Sequence, residues 1–544
     1  MSAADLAARL LDLDRAPFTL PSSRIMVFRR GEDAVSVHTS EYERSRDECR
    51  VLQSLSVHDG AGAALPITAV RVDRIEFGGG AATLTFDGAG ALSLRGGAGI
   101  VAVTEAGERV EHDGSAGLRI AIGTDRSLRL SAADAHDAAL AATQAAWDGW
   151  FAKLPVVRDD LQEMAAFCWW VLGANIVEIP SMPGSRAVVP SKIGYVGAWQ
   201  WDAYFIARGL RHGDPVLARE QLDIVFAFPT PTGQLPDVVH EHGVLASSDD
   251  LPEGDRENLR RAGSAIADPT APVPLTKPPL AAWAVRAVLE AEDDPQWARR
   301  VLPVVAASQE WWLRDSDLDH DGLPEYGHPY SSGLDDSPVF DGPIPTTAPD
   351  LAAYLVQQDR ELADLWDRYA PEAADTEELR RRADRTAERL LRLWDPQLRR
   401  FVAWGAGEPI VSDTVVGLIP LFTGTLPEAV VSELVAAIED PARYAAPWVI
   451  PTVALSDPDY SPTRMWRGPV WVNTTLLVAE GLERSGRAEL AREIRERIAA
   501  LVIHAGGPHE YFNPETGEKA PRATTAFAWS AALFIDNAVA LTGR

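Results

Sequence analysis

From about Ala141 onward, apolar residues recur at helical spacing in segment after segment, and no β-type run alternates with them. The pattern predicts helices over residues 159–175, 198–212, 215–226, 279–291, 296–314, 350–369 and 376–394. It continues over 411–421, 427–438, 469–484, 487–503 and 524–540. Asp214-Pro215 and Asp375-Thr376 supply capping and first-turn signals for two of them. A parallel α/β barrel needs a strand ahead of each helix, so the pattern argues against that class. Helices grouped as six hairpins close instead into a toroid, inner ring against outer ring, with connecting loops lining one end. The expected class is therefore mainly α, an (α/α)6 toroid.

The first 140 residues read differently. Short β-type runs at 24–28, 34–38, 69–77, 82–86, 100–104 and 118–122 lie between Gly, Asp and Ser turns, with Gly78-Gly79-Gly80 and Gly96-Gly97 as punctuation. This predicts an antiparallel β-sandwich-like domain over 1–140, serving as buttress or lid, ahead of a helical domain over 141–544. A chain of 544 residues is also too long for one ordinary core.

Several functional classes drop out on charge and composition. The net charge of −28, from 79 acidic and 51 basic side chains, repels nucleic acid and anionic membranes, and no basic stripe offsets it. Cys49 and Cys168 are the only cysteines, giving neither a disulfide framework nor metal-ligand spacing; no metal and no cofactor are expected. The uncharged run at 164–177 is too short to span a bilayer and contains Asn175. The opening residues, interrupted by Asp5 and Arg9, lack the apolar core of a secretion signal, so a cytoplasmic protein is expected. No feature specifies an oligomeric state.

The chemistry sits in the loops. Asp335, in Ser332-Gly333-Leu334-Asp335-Asp336-Ser337-Pro338, and Glu510, in His509-Glu510-Tyr511-Phe512-Asn513-Pro514, are carboxylates in turn-rich, aromatic surroundings. Two carboxylates across a pocket are the minimum equipment for breaking a glycosidic bond. Trp outnumbers Phe, 17 to 15, and Trp is the side chain best suited to lie against a sugar ring while its N–H donates a hydrogen bond. Tyr195, Trp199, Trp201 and Asp202 cluster at one helix start, where Asp202 is either a dipole-matched acid or an acceptor for sugar hydroxyls. Gln234 and Lys277 occupy helix-connecting turns, and Trp466, Arg467 and Trp471 open another helix. A small carbohydrate is the partner these residues call for.

These segments resemble the inverting α-glycosidases of glycoside hydrolase family 63, including the bacterial glucosylglycerate and mannosylglycerate hydrolases, and more distantly the trehalases of the same six-hairpin superfamily. The similarity runs from about residue 159 to the C-terminus with six motifs in the family's order. They are the Trp-Asp segment, the Gly-Gln-Pro turn, the Pro-Pro turn, the Ser-Gly-x-Asp-x-Ser-Pro loop, the Trp-Arg-Gly-Pro-x-Trp segment and the Glu-Tyr-x-Asn-Pro turn. The resemblance implies that Asp335 is the general acid and Glu510 the general base. It also implies that Tyr195, Trp199, Asp202, Gln234, Lys277, Gly333, Trp466, Arg467 and Trp471 line a sugar pocket, from which one monosaccharide, glucose, is released. Asp336, often Asn in the family, either modulates Asp335 or caps a turn. Arg467 and Lys277 meet either a substrate carboxylate or hydroxyls.

Two rivals share the fold. A lyase or phosphorylase needs a basic groove or a phosphate nest, against which the acidic balance and Glu510 speak. A non-catalytic sugar-binding toroid needs neither Asp335 nor Glu510. One further motif, Asp317-Leu318-Asp319-His320-Asp321-Gly322, begins like a calcium loop, but His328 stands where the closing Glu belongs. An acidic turn is the expectation there, with a structural, non-catalytic calcium as the alternative.

Overall fold

The computed structural model describes residues 2–253, 256–257, 260, 271–342 and 344–543. It divides into two compact units: Met1–Gly197 with Gly506–Pro508 and Thr524–Thr542, and Ala198–Ala505 with His509–Ala523 and the last two residues.

The first unit opens with helix α1 (Ala3–Leu10) and continues through strands β1 (Ile25–Arg30), β2 (Ala34–Thr39), β3 (Arg50–His58), β4 (Ile67–Val70), β5 (Ile75–Phe77) and β6 (Ala82–Phe86). Strands β7 (Ala91–Gly96), β8 (Gly99–Thr104), β9 (Arg109–Asp113), β10 (Leu118–Ile122) and β11 (Leu128–Ser131) follow. They form two antiparallel sheets, ordered β1-β2-β3-β8-β9 and β11-β10-β7-β6-β5-β4. The expected strand over 69–77 is split, because the Arg71–Arg74 turn breaks the run into β4 and β5. Helix α2 (His136–Phe151) follows β11, and α3 (Gln162–Ala174), with the hairpin β12 (Ile176–Glu178) and β13 (Arg186–Val188), completes the unit's first segment. Trp150 and Trp169 join α2 to α3. Their rings stack at 4.9 Å, and each indole N–H donates to the other's backbone carbonyl, at 2.7 and 3.0 Å. The uncharged run noted in the sequence is α3, buried on all sides from Met164 to Ala174. No described helix is long and apolar enough to cross a membrane.

The second unit is helical: α4 (Gln200–Leu210), α5 (Pro215–Phe226), α6 (Ala281–Ala291), α7 (Pro295–Asp315), a single turn α8 (Pro329–Ser332), α9 (Pro349–Tyr369), α10 (Thr376–Leu390), α11 (Glu428–Glu439), α12 (Val472–Arg484) and α13 (Ala488–His504). Helix α14 (Ala528–Thr542) returns to the first unit. Consecutive helices pack as pairs, α4 with α5, α9 with α10 and α12 with α13. Alternate helices share an ionic net: Arg208 of α4 bridges Glu480 of α12 at 2.9 Å, and Arg286 of α6 bridges Glu361 of α9 at 2.6 Å. Arg484 of α12 reaches both acids, at 3.7 and 3.8 Å. The class expected from the periodicity, antiparallel β followed by an α/α toroid, agrees with this arrangement.

The helix expected over 411–421 does not form. That stretch makes 3-10 turns at Val415–Gly417 and Ile419–Thr423, because Pro420 lacks an N–H and Gly417 and Gly424 interrupt the pattern. Strands of two or three residues also decorate the helix connections: β14 (Gly197–Trp199), β15 (Val238–His240), β16 (Gly243–Leu245), β17 (Glu325–Tyr326), β18 (Thr346–Thr347), β19 (Trp394–Asp395), β20 (Arg400–Phe401), β21 (Ala403–Gly405) and β22 (Glu408–Ile410). Strands β17, β18, β21 and β22 join into one small sheet.

Asp350, in the first turn of α9, is buried, and Tyr326 donates to it at 3.0 Å. Burial pushes its pKa up to about 7, with the Tyr326 hydrogen bond opposing. A carboxyl whose folded pKa is raised contributes stability that is fully present below the unfolded value of 3.8 and lost as pH rises through about 7. Asp350→Asn is therefore expected to flatten the fall in unfolding temperature between about pH 4 and about pH 7. An identical slope for parent and variant would contradict this.

Candidate active site

Asp335 sits on a loop whose shape follows from its sequence. Pro329 starts the single turn α8, and the His328 ring accepts from the Tyr330 N–H at 3.0 Å. Gly333 ends the turn in the left-handed conformation, φ +70°. The position needs glycine twice over, since a Cβ there would lie 2.2 Å from the Trp201 ring. Ser332 Oγ then accepts from the Leu334 N–H at 3.0 Å, and Leu334 is buried. Asp335 itself is half-buried.

The next residue fixes the loop. Asp336 accepts from the Trp466 N–H at 2.8 Å and from the Arg464 guanidinium at 3.1 Å. Trp466 stacks on Trp471 with ring centres 3.7 Å apart and planes 7° from parallel, and Trp471 stacks on Tyr511 at 4.8 Å. Trp201 leans on Trp466 at 6.0 Å. Met465 takes a strained φ of +26°, and its carbonyl accepts the Trp471 indole N–H at 2.8 Å. Beyond the stack, Phe512 pairs with Val470 through two backbone hydrogen bonds of 2.8 and 3.0 Å, which anchors the turn carrying Glu510. The fields of Glu510 and Asp336 both act on the Tyr511 hydroxyl, whose pKa is raised by burial first and then by these two carboxylates.

A second chain of interactions is ionic. Lys277 is buried, its Nζ lies 2.9 Å from Asp237 and donates to the Tyr330 carbonyl at 2.6 Å, and its N–H donates to Gln200 Oε1 at 2.9 Å. Burial opposes its charge, but Asp237, Asp335 and Asp202 together hold its pKa above the usual lysine value. Asp202 is buried too. Desolvation pushes its carboxyl well above the usual range, Asp237 and Glu510 push the same way, and Lys277 opposes. Asp237 is raised by burial against the pull of Lys277. Asp335, Lys277, Asp202, Asp237 and Glu510 thus form one electrostatic cluster in the second unit.

The other predicted positions sort themselves physically. Asp202 lies in the first turn of α4, where the helix dipole favours an acid; Trp199 is the N-cap residue, and no side chain caps the helix there. Trp199 is half-buried, whereas Trp201, Trp466 and Trp471 are almost wholly buried. Gln234 uses its amide NH2 on the carbonyls of Ala246 and Leu275, both at 2.8 Å, so it braces the turns around Lys277. Arg467 pairs with Asp341 and lies 3.8 Å from Asp459, and those acids, with Asp336, hold its charge against burial. Tyr195 belongs to the first unit, where its ring meets Phe527 edge-on at 5.8 Å. Asp237 escaped the sequence reading. Its signal was present in Gln234-Leu235-Pro236-Asp237, an acid directly after a turn already singled out.

Known proteins resemble this chain in sequence and fold. The mannosylglycerate hydrolase MGH1-like glycoside hydrolase domain matches residues 195–530. The mannosylglycerate hydrolase of Thermus thermophilus is 31% identical over 412 residues, covering 63% of this chain and 95% of that protein. The glucosylglycerate hydrolase of Mycolicibacterium hassiacum is 24% identical over 420 residues, covering 63% and 92%. The crystal structure of a GH63 mannosylglycerate hydrolase from Thermus thermophilus in complex with Tris and D-glycerate superposes with a TM-score of 0.58 at 27% identity, covering 68% of this chain and 98% of that one.

Gly333→Ala tests the packing of the Asp335 loop. Forcing a methyl against the Trp201 ring from a left-handed backbone is expected to cost about 1–3 kcal/mol and to change the near-UV tryptophan signal. An unchanged unfolding temperature would show that the loop does not rest on Trp201.

Proposed function

The chain belongs to the mannosylglycerate hydrolase MGH1-like family of glycoside hydrolases, and from that premise we propose that it releases one hexose from a small α-glycoside with inversion at the anomeric carbon. The aglycone in this reading is glycerate, and the hexose is glucose or mannose. The names of the Thermus and Mycolicibacterium relatives and the D-glycerate complex support that choice. One observation carries the catalytic assignment. Tyr511, adjacent to Glu510, feels the carboxylate adjacent to Asp335, and the Trp466–Trp471–Tyr511 stack ties the two loops together.

Asp335 acts as general acid and delivers its proton to the glycosidic oxygen. Glu510 acts as general base and takes a proton from a water attacking the opposite face of the ring. Inversion calls for the two carboxyl groups to stand roughly 6.5–9.5 Å apart, so that the water fits between base and ring. Lys277 lies in the field of the acid, Asp202 in that of the base, and Asp237 is paired with Lys277. A closed cluster of that kind suits the hydroxyls of a terminal sugar, because polar groups already held in a dry site need little reorganisation when substrate arrives. Trp199 offers its partly open ring as a stacking platform.

Two variants test the roles. Asp335→Asn and Glu510→Gln are each expected to lower kcat on glucosylglycerate and mannosylglycerate by about 10²–10⁴-fold, with an unfolding temperature close to the parent's. Proton NMR of the first-formed product is expected to show the β-anomer. Appearance of the α-anomer first, or near-parental turnover by Asp335→Asn, would refute the mechanism.

A further inference from the structure

The turn after α7 has a construction that an acidic surface loop does not need. Asp317 is only 9% exposed, and its Oδ1 is buried with no hydrogen-bond partner. Glu325, at the start of β17, is 3% exposed. Ligand oxygens of Asp317, Asp319 and Glu325 all lie within 4.8 Å of one another. Among the described residues, no Lys or Arg forms an ion pair with any of these acids or with Asp321; the nearby Arg389 donates to the Gly322 carbonyl at 3.4 Å instead. Concentrating carboxylates out of water with no counter-charge is costly, and the natural remedy is a bound cation.

The loop's own hydrogen bonds set how those oxygens are presented. Asp317 Oδ2 accepts from the Gly322 N–H at 3.1 Å, Asp319 Oδ1 from the Asp321 N–H at 3.1 Å, Asp321 Oδ1 from the Leu323 N–H at 2.8 Å, and Glu325 Oε2 from the Leu318 N–H at 2.8 Å. Each carboxylate therefore has one oxygen committed to the backbone. The sequence gives the spacing Asp-x-Asp-x-Asp-Gly-x-x-Glu, and the closing acid, sought at residue 328, is supplied three residues earlier by Glu325. The β17 pairing with β18 brings Glu325 back over the turn, as does the Ser316 hydroxyl bond to the Glu325 carbonyl at 2.6 Å.

We propose that Asp317, Asp319 and Glu325 bind one divalent cation of the calcium class, with Asp321 on the same turn adding negative charge beside them. The donor set is all oxygen and carries several formal negative charges, which suits a hard cation and offers nothing to a soft one. Consistent with a missing counter-charge, the Glu325 carboxyl is pushed up to about 7, by burial first and then by Asp319, Asp317 and Asp321. The cation would lock the turn at the base of the segment that runs from β17 through α8 to Asp335. Its role is structural, at a site separate from the Lys277 cluster.

The test uses the whole chain, stripped with EGTA and then titrated with CaCl2 by calorimetry, with MgCl2 as the competing probe and thermal unfolding as a second readout. The parent is expected to take up one Ca²⁺ per chain and to gain several degrees in unfolding temperature. Asp319→Asn, at an exposed position that does not threaten folding, is expected to weaken that uptake about tenfold or more. Glu325→Gln keeps the side-chain shape and is expected to weaken it as well. Absence of uptake by the stripped parent, equal affinity in Asp319→Asn, or preference for Mg²⁺ would each overturn the proposal. No sugar enters these measurements, so their outcome stands apart from that of the glycosidase mechanism.

Discussion

The hydrogen bond from the Trp466 N–H to the Asp336 carboxylate is the constraint on which the rest of the site depends. Asp336 and Trp466 lie far apart in sequence, yet this contact at 2.8 Å sets where the Asp335 loop begins its path across the second unit. From Trp466 the order propagates by ring contact, through Trp471 to Tyr511, and so to the residue beside Glu510. Stacked indoles are stiff, and their near-parallel faces leave little freedom for either loop to drift. An Asn at this place would make the same bond; the carboxylate here also recruits Arg464. Asp336 is therefore a loop anchor, holding Trp466 and Arg464 at once.

The ionic cluster works on the opposite principle. Lys277, Asp202 and Asp237 are buried, and burial by itself disfavours every one of their charges. Together the three carry one more acid than base, with Asp335 and Glu510 close enough to be felt. Such an arrangement is unfavourable for folding and useful for chemistry, since charges in a dry site act over short distances with little screening. The neutral amides of Gln200 and Gln234 offset part of this locally: one accepts the Lys277 N–H, and the other clamps the turns on either side.

Much of this was legible in the chain. Helical periodicity and β-type runs identified the two kinds of structure. Turn-rich, aromatic surroundings singled out Asp335 and Glu510, and the six ordered motifs assigned them roles only through resemblance to a known family. The failures have particular causes. Residues 411–421 keep an apolar spacing that suits a helix, but Pro420 and the flanking glycines convert it to 3-10 turns. Residues 69–77 look like one strand, yet a charged turn at Arg71–Arg74 folds them back on themselves.

What the sequence determined alone was therefore local: periodicity, turn chemistry, and the order of short motifs whose residue types announce carbohydrate chemistry. Those properties depend on neighbours a few positions apart, so they survive without knowledge of the fold. Tertiary structure decided which acids share a field, which tryptophans are spent on each other, and that Asp317 and Glu325 are dry while Asp319 stays wet. Desolvation and Coulomb energy are sums over everything near in space. Asp237 entered the cluster with Lys277 for that reason: its place after the Gln234 turn marked it as near a candidate loop, but only the fold set its carboxylate 2.9 Å from the lysine.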